Sequence, residues 1–210
     1  MITNVYVDAF NLYYGCLKGT SYRWLDLAKL CNIELPLHTI NRIRYFTAIV
    51  SARPGDLTQP DRQAAFIRAL ETLPNVSVHY GHYLSSPTRM PLRYPPPGGP
   101  NTVEVIKTEE KGSDVNIATY LLMDAFDKDC EASIVISNDS DLEEPIRLVR
   151  QRFKIRVVSL VPCRGKRRPS VQLQKASSYT KIITETALAA SQFPTTLTDA
   201  NGTVTKPATW

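Results

Sequence analysis

The stretch that decides the fold is Ala132-Ser-Ile-Val-Ile-Ser-Asn-Asp-Ser-Asp-Leu142. Its β-branched run, Ile134–Ile136, predicts a short strand that is buried on both faces. A polar, acidic turn follows this strand, and apolar residues then recur at helical spacing from Leu142 to Phe153. This order of strand, turn and helix places Asp139 and Asp141 at the carboxyl end of a central strand, where open α/β sheets bind ligands.

The close spacing of Asp139 and Asp141 predicts a bound cation. Two carboxylates this near to each other repel unless a proton or a cation lies between them. A divalent metal ion is the simplest way to keep both acids charged, so this turn is the first candidate for a metal site.

The composition is that of an ordinary globular protein. The chain has 210 residues, enough for one domain with a proper core, and 43% of them are hydrophobic and 21% charged. No apolar run approaches the length of a membrane span, and the first residues do not resemble a signal peptide. The cysteines lack a C-x-x-C pair, which favours reduced, buried thiols and a cytoplasmic protein: Cys16, Cys31, Cys130 and Cys163.

The formal net charge is +5, with an isoelectric point near 9.0. A basic surface around an acidic pocket suits a polyanionic substrate that is held through a metal ion. A charge of this size is also ordinary in proteins without such a partner, so the charge alone leaves both interpretations open.

A second acidic turn follows the first predicted strand. The segment Asn4–Asp8 alternates into a strand that ends at Asp8, and Asn11 comes three residues later. Asp8 is a natural metal ligand at a strand end, and the Asn11 amide could orient it or contact a phosphate. Both residue types are also common helix N-caps, so this turn by itself does not define a site.

The first half of the chain alternates between helical and strand patterns. Helices are predicted around Trp24–Cys31 and from Pro60 to Leu73, and strands over Asn41–Val50 and Val76–Tyr80. This rhythm predicts parallel strands joined by crossover helices. The proline-rich residues 83–102 then interrupt the rhythm as an exposed loop or β-ribbon insertion at the mouth of the site.

A third acidic stretch, Lys107–Asp114, precedes a predicted helix. Asp114 falls in the first turn of this helix, where the helix dipole favours a carboxylate even without a function. Lys111 could neutralise the acids in the absence of metal or contact phosphate. Glu109 and Glu110 are possible further ligands, and the sequence does not decide which of them faces inward.

A basic loop follows the last predicted strand, Ile155–Val161. Its position just past the carboxyl end of a strand suits an arm that contacts phosphates, although such runs are often only solvated. The cationic residues of the loop are Arg164, Lys166, Arg167 and Arg168.

The C-terminal part predicts one more helix and a tail. Apolar residues at helical spacing run from Leu173 to Ile183, and Thr184–Ser191 could continue the helix. The domain is therefore expected to span residues 1–190. The tail, residues 191–210, is expected to be extended, with Trp210 available as an anchor.

The three acidic turns converge if they belong to one sheet. Together they would supply hard oxygen ligands, which suit Mg²⁺ or Mn²⁺ and not zinc. Such a cluster can activate a water molecule and stabilise the leaving oxygen during phosphodiester hydrolysis.

Three motifs resemble those of the NYN domain family, within the PIN-like nuclease superfamily. They are Val5-Tyr-Val-Asp-Ala-Phe-Asn11, Glu109-Glu-Lys-Gly-Ser-Asp-Val-Asn116 and Val135-Ile-Ser-Asn-Asp-Ser-Asp-Leu142. The resemblance implies a Rossmann-like three-layer α/β/α sandwich with a mainly parallel sheet, and a metal-dependent ribonuclease. It also implies a metal site at the matching acids, Asp8, Asp114, Asp139 and Asp141. Glycine is more usual in the family where this chain has Asn138 and Ser140.

The resulting hypothesis is a ribonuclease that cuts single-stranded or structured RNA with Mg²⁺ or Mn²⁺. Asp8, Asp114 and Asp139 are the principal ligands, and Asp141 is a ligand or the base that orients water. The expected substrate contacts are Asn11, Lys111, Asn138, Arg164, Lys166, Arg167 and Arg168. Endonucleolytic cleavage is favoured, while the oligomeric state, a homodimer included, is left open.

Two alternatives use the same residues differently. The first is a catalytically weak RNA-binding or regulatory module on the same fold, against which the intact acids argue. The second takes Asp139 and Asp141 as the nucleophile motif of a haloacid-dehalogenase-type phosphatase. That motif normally lies on an early strand with further acids downstream, whereas here it lies late and no acid pair follows in the expected place.

Overall fold

A six-stranded parallel sheet forms the centre of the molecule. The computed structural model describes residues 1–210. The chain forms ten strands in three sheets: β1 (Ile2–Asp8), β2 (Thr39–Thr47), β3 (Val76–Tyr80), β4 (His82–Pro91), β5 (Thr102–Lys111), β6 (Ala132–Ile136), β7 (Arg156–Val161), β8 (Tyr179–Ile182), β9 (Thr196–Asp199) and β10 (Gly202–Thr205). The order in the main sheet is β3-β2-β1-β6-β7-β8, so β1 and β6, which lead into two of the acidic turns, are its central strands.

Helices cover both faces of this sheet. They are α1 (Ala9–Leu12), α2 (Leu27–Glu34), α3 (Gln59–Glu71), α4 (Ser113–Phe126), α5 (Glu143–Leu148), α6 (Val171–Ala176) and α7 (Glu185–Ala190). Helices α1 and α5 each continue into a wider, π-helical turn, Tyr13–Leu17 and Val149–Phe153. No helix is both long enough and apolar enough to span a membrane.

Two hydrophobic cores lie on opposite faces of the sheet. The larger core packs α1, α2, α3 and α7 against Ile134 and Ile136, and the smaller packs α4, α5 and α6 against Val135. Successive residues of β6 therefore point to opposite faces, and both faces are covered, as in other parallel sheets. This arrangement confirms the expected three-layer α/β/α sandwich with a parallel sheet.

The proline-rich segment lies within an antiparallel ribbon formed by β4 and β5. The ribbon pairs His82 with Lys111 at its base and Pro91 with Thr102 near its tip, and most of its side chains are exposed. Of the two forms expected from the sequence, the structure shows the ribbon. Its base leads directly into α4, which carries Asp114.

The helix predicted from Leu173 to Ile183 is wrong. Helix α6 ends at Ala176, and β8 then joins the edge of the sheet in parallel with β7. The change of direction is fixed by two serines, because the Ser178 N–H donates to the Val157 carbonyl at 2.7 Å and Ser177 Oγ bonds Ser159 Oγ. Pairing with an open strand edge overrides the helical spacing of the apolar residues.

The C-terminal tail is ordered against the larger core. Strands β9 and β10 form a hairpin in which Val204 is buried. The Trp210 ring contacts those of Trp24 and Phe66, with centroid distances of 6.3 and 5.8 Å. The tail is extended within the hairpin strands, and Trp210 anchors its end. The proposed domain boundary at residue 190 stays a prediction.

A buried ion pair ties α4 to the sheet. Arg44 on β2 binds the Asp124 carboxylate through two hydrogen bonds of 2.9 and 2.7 Å, and the Tyr6 hydroxyl donates to the same carboxylate at 2.8 Å. Burial by itself would raise the pKa of Asp124, but the hydrogen bonds from Arg44 and Tyr6 outweigh it and hold the pKa below its usual value. The pair fixes the helix whose first turn enters the candidate site.

We expect Asp124→Asn to lower the free energy of unfolding by about 3 kcal/mol or more at pH 7, because it leaves the Arg44 charge buried without its partner. The folded-state pKa of Asp124 is lowered, so its stabilisation is present above pH ~4 and is lost as the pH falls below that value. Urea unfolding followed by circular dichroism at pH 7 and pH 3.5 measures this difference.

The matched control is Asp127→Asn, which changes an exposed acid just after the same helix. We expect a change within about 0.5 kcal/mol at both pH values. An equal loss of stability in the two variants, or a loss in Asp124→Asn that does not shrink in acid, would contradict the role of the ion pair.

Candidate metal centre at the carboxyl edge of the sheet

The central strands bring two acidic turns together. Val7 on β1 pairs with Ile136 on β6, so Asp8 and the turn that starts at Ser137 leave the sheet side by side. The Ser137 hydroxyl donates to Asp8 Oδ2 at 2.9 Å and accepts from the Asp139 N–H at 3.0 Å. One serine therefore links both aspartates, which the sequence predicted to be neighbours.

Asp8 is buried and has a structural as well as a candidate catalytic role. Its Oδ1 atom accepts from the Asn11 N–H at 2.9 Å and caps α1. Burial raises the pKa of Asp8, while the hydrogen bonds from Asn11 and Ser137 act in the opposite direction. The N-cap role considered from the sequence is present, and the second carboxylate oxygen still faces the acidic turn.

Asp114 is the acid whose pKa is raised by the largest number of neighbouring negative charges. Its carboxylate makes no hydrogen bond in the structure. Burial raises its pKa to about 6, and the nearby negative charges of Asp8, Asp139, Glu110 and Asp141 contribute in that order. The three acidic turns therefore converge electrostatically at the first turn of α4.

The last two aspartates differ in exposure. Asp139 is half-buried, and its Oδ1 atom accepts from the Asp141 N–H at 3.0 Å to start the short 3₁₀ turn Ser140–Leu142. Asp141 is exposed, and its carboxylate makes no hydrogen bond in the structure. Asp139 is thus fixed in position, whereas Asp141 faces the solvent from which a substrate would approach.

The structure separates the roles of the two glutamates. Glu110 accepts hydrogen bonds from the Ser113 N–H and hydroxyl at 3.2 and 2.9 Å, beside Asp114. Glu109 instead forms exposed ion pairs with Lys107 at 2.6 Å and Lys111 at 3.3 Å. The ammonium group of Lys111 is therefore paired with Glu109 and not with the aspartates, and its contact with phosphate stays a prediction.

Asn138 and Asn11 connect the acidic turn to its surroundings. The Asn11 Oδ1 atom accepts from the Asn138 N–H at 3.2 Å. The Asn138 side chain bonds the basic loop, donating to the Arg168 carbonyl at 3.0 Å and accepting from the Ser170 N–H at 2.7 Å. Asn138 thus positions the loop beside the acids, a role that its side chain fills at the position where glycine was more usual.

The basic loop is exposed along its whole length. Only Arg164 lies near a carboxylate, that of Glu185 at 3.8 Å, and the other three cationic side chains form no ion pair. Their charges are therefore available to an anion that reaches the acidic turns.

The donor set suits a hard cation, although the acids do not form a closed cage. No group of three His, Cys, Asp or Glu side chains lies close enough to hold a metal ion together. Mg²⁺ usually keeps several waters and needs only one or two protein carboxylates besides substrate phosphates. The oxygen donors and the repulsion at Asp114 therefore fit such an ion.

A cavity beside the acids was missed from the sequence. It opens next to α1, and seven of the sixteen residues that line it are aromatic: Phe10, Tyr13, Tyr14, Tyr45, Phe66, Tyr83 and Trp210. These residues come from separate elements of the chain, so no local spacing could have shown that they meet. The sequence alone does not distinguish Glu109 from Glu110, whereas in the structure Glu110 accepts the hydrogen bonds from Ser113.

The fold and this edge define an α/β sandwich protein with an acidic candidate site at the carboxyl ends of its central strands. The model of the NYN domain family matches residues 2–184, and the chain belongs to this family. The resemblance of the three motifs is thereby confirmed.

Two similar proteins bear on fold and function. The chain is 30% identical to 6-hydroxy-3-succinoylpyridine 3-monooxygenase HspA of Pseudomonas putida, over 99% of this chain and 75% of that protein. A crystal structure of a protein of unknown function from Vibrio parahaemolyticus superposes with a TM-score of 0.57 at 19% identity, covering 88% of this chain and 93% of the other. The second likeness supports the fold alone.

Replacing Asp114 tests the repulsion among the acids. In the absence of metal we expect Asp114→Asn to be more stable than wild type at pH 7.5. The expected difference in the free energy of unfolding is on the order of 1 kcal/mol, after solvent screening of this half-buried group. The pKa of Asp114 is raised in the folded state, so the wild-type protein becomes less stable as the pH rises from about 4 through about 6 and Asp114 loses its proton. The variant has no such proton to lose. Thermal melting in EDTA at pH 4.5 and pH 7.5 should show a clearly larger gap at the higher pH.

Asp61→Asn is the matched control, because Asp61 is an exposed acid in the first turn of α3. There the helix dipole favours the charge, so we expect a loss of a few tenths of a kcal/mol. A similar loss for Asp114→Asn at pH 7.5 would mean that Asp114 acts only through the helix dipole.

Proposed function

We propose that this protein is a metal-dependent ribonuclease that hydrolyses RNA phosphodiester bonds at the carboxyl edge of its sheet. The observation that carries the proposal is the link from Asp8 through the Ser137 hydroxyl to Asp139 where the two central strands end, and the charges of these acids add to burial in raising the pKa of Asp114 on α4. Membership of the NYN family supports a nuclease-like function. The free, buried cysteines suit a reducing compartment, and we extend the proposal to a cytoplasmic enzyme.

The roles follow from exposure and hydrogen bonding. Of Asp8, Asp114 and Asp139, one or two would bind Mg²⁺ or Mn²⁺ directly and the others through its water ligands, and the ion would supply an activated water and neutralise phosphate charge. Asp141 is exposed and can accept a proton from the attacking water. Asn11 holds the Asn138 backbone through Oδ1, and its amide nitrogen remains able to donate to a phosphate oxygen.

The basic loop would bind the RNA backbone. Its unpaired charges lie next to the acidic turn because Asn138 ties the two together. Contacts to phosphate are independent of sequence, so this loop fits single-stranded or structured RNA without selecting particular bases.

A second candidate function is oxidation of a small heteroaromatic acid. The relative named as a 6-hydroxy-3-succinoylpyridine monooxygenase aligns with nearly the whole chain, and the aromatic cavity with arginines in its lining could take a ring that bears a carboxylate. Oxygen consumption with 6-hydroxy-3-succinoylpyridine and a reduced nicotinamide or flavin donor tests it. Turnover of that compound without any cleavage of RNA would favour this function over the nuclease.

The purified protein should cut single-stranded RNA in the presence of Mn²⁺ or Mg²⁺, and EDTA should stop the reaction. We expect Asp139→Asn to lower the cleavage rate at least a hundredfold, because it removes a charged ligand while keeping the side chain's shape. The measurement is gel electrophoresis of end-labelled RNA over time. Internal fragments would identify endonucleolytic cleavage.

Asp127→Asn serves as the control, since this exposed acid lies away from the site. It should cut at the wild-type rate. Cleavage that persists in EDTA or survives Asp139→Asn would contradict the proposal. Metal-independent RNA binding with no cleavage would instead favour the regulatory RNA-binding module.

Replacing Lys166 and Arg167 together with alanine should weaken binding of single-stranded RNA at low salt and flatten its dependence on salt by about 1.4 counterions, because each neutralised phosphate of a single strand contributes ~0.7. Fluorescence anisotropy of labelled RNA across a range of salt concentrations measures the slope. The control replaces the exposed Arg152 and Arg156, which lie just before and at the start of β7, at the amino edge of the sheet. If only the control variant flattens the slope, RNA binds at that edge and not at the basic loop.

A further inference from the structure

The aromatic cavity is a feature of the molecule that the proposed chemistry leaves unused. Its enclosed volume is about 80 Å³, and its mouth opens to solvent. Ligand pockets usually combine an apolar lining with a few polar groups, and this cavity has both. The Phe10 and Tyr83 rings meet edge to face at 5.9 Å, and those of Tyr45 and Phe66 meet at 6.1 Å.

The cavity shares a wall with the acidic site. Helix α1 starts directly after Asp8 and carries Phe10 into the cavity. Tyr45 pairs with Val7, the residue before Asp8, and the charge of Asp8 adds to burial in raising the pKa of the Tyr45 hydroxyl. A molecule in the cavity would therefore lie next to a substrate at the acids.

Tyr83 provides a second connection, from the ribbon. It pairs with Glu110 across β4 and β5, and Glu110 lies beside Asp114. Gly81 lets the base of the ribbon approach, because a Cβ atom there would lie 2.4 Å from Glu110 Oε1. The ribbon thus places one ring in the cavity and one carboxylate at the acidic site.

The charges of the cavity lining are positive. Three arginine side chains and no aspartate or glutamate side chain line it. Arg62 is neutralised by Asp56 at 2.6 Å. Arg23 donates to the carbonyls of Thr20 and Thr209, and Arg53 is exposed and forms no ion pair, so two positive charges remain unbalanced. An aromatic lining with uncompensated arginines suits a planar ring that carries an anionic group.

We infer that the cavity binds one unstacked base of the RNA, with the adjoining phosphate held by Arg53 and directed toward the acidic site. This inference deepens the proposed nuclease function and rests on it. Proteins that bind single-stranded nucleic acid stack bases on aromatic side chains and track the backbone with positive charge. The shared wall favours a base of the substrate over an unconnected small molecule, because the chain leaving the cavity would pass the acids.

Binding can be measured without cleavage. The wild-type protein in EDTA is titrated with a short oligouridylate and with an oligomer of equal length that carries tetrahydrofuran spacers in place of the nucleosides. We expect the oligomer without bases to bind at least about fivefold more weakly, since stacking on an aromatic side chain is lost. Oligouridylate should also change the fluorescence of Trp210, and Trp210→Phe should lose most of that change.

Two variants identify the cavity as the place of binding. Tyr83→Leu removes a ring but keeps an apolar side chain, and we expect it to reduce the preference for the base-containing oligomer at least about threefold. Tyr80→Leu is the control, because Tyr80 is exposed on β3 and does not line the cavity. Arg53→Gln should weaken binding of both oligomers, whereas Arg152→Gln should leave both unchanged.

The outcomes separate this inference from the proposed function. Equal affinity for the two oligomers, or a base preference that survives Tyr83→Leu, overturns the base site even if the protein cleaves RNA. A base preference that depends on Tyr83 supports the site even if no cleavage is found. Saturable binding of a pyridine carboxylate such as nicotinate, with no RNA binding that depends on Tyr83, assigns the cavity to a free aromatic acid and overturns the inference.

Discussion

The structure is built around the repulsion between carboxylates at one edge of the sheet. Parallel strands end together, so acids that follow β1 and β6 must lie close to each other. Burial raises the pKa of both Asp8 and Asp114, and at Asp8 the hydrogen bonds from Ser137 and the Asn11 backbone oppose this effect. Asp114 has no such bond, and the nearby negative charges add to burial in raising its pKa to about 6. The fold therefore tolerates an unfavourable arrangement of charge, which a cation would relieve.

The rest of the fold keeps these acids from moving apart. The ion pair between Arg44 and Asp124 holds α4 on the sheet, and Gly112, with a φ of 102°, lets the ribbon turn directly into that helix. Asn138 closes the opposite side by bonding the basic loop. The ion pair and the hydrogen bonds of Asn138 thus hold the acids near one another against the repulsion between their charges. These contacts belong to α4 and to the acidic turn, which also carry acids of the site.

The sequence was sufficient for features that depend on local pattern. The buried strand Ile134–Ile136, the helix after it and the acidic turns were predicted because periodicity and turn residues are local signals. The edge strand β8 was predicted as helix because its identity depends on pairing with β7. The ion pair between Lys111 and Glu109 cannot be predicted from the sequence either, because it depends on the direction in which each ribbon side chain points.

The cavity shows the limit of local pattern most clearly. Its rings come from α1, β2, the ribbon and the last residue of the chain, and only the packed fold brings them together. Trp210 reaches it because the tail packs on Trp24 and Phe66. An acidic edge can be read from three short motifs, whereas the surface that would select a substrate is formed by segments far apart in sequence. In this protein the candidate site for chemistry is thus encoded locally, and the candidate site for recognition is encoded by the tertiary structure.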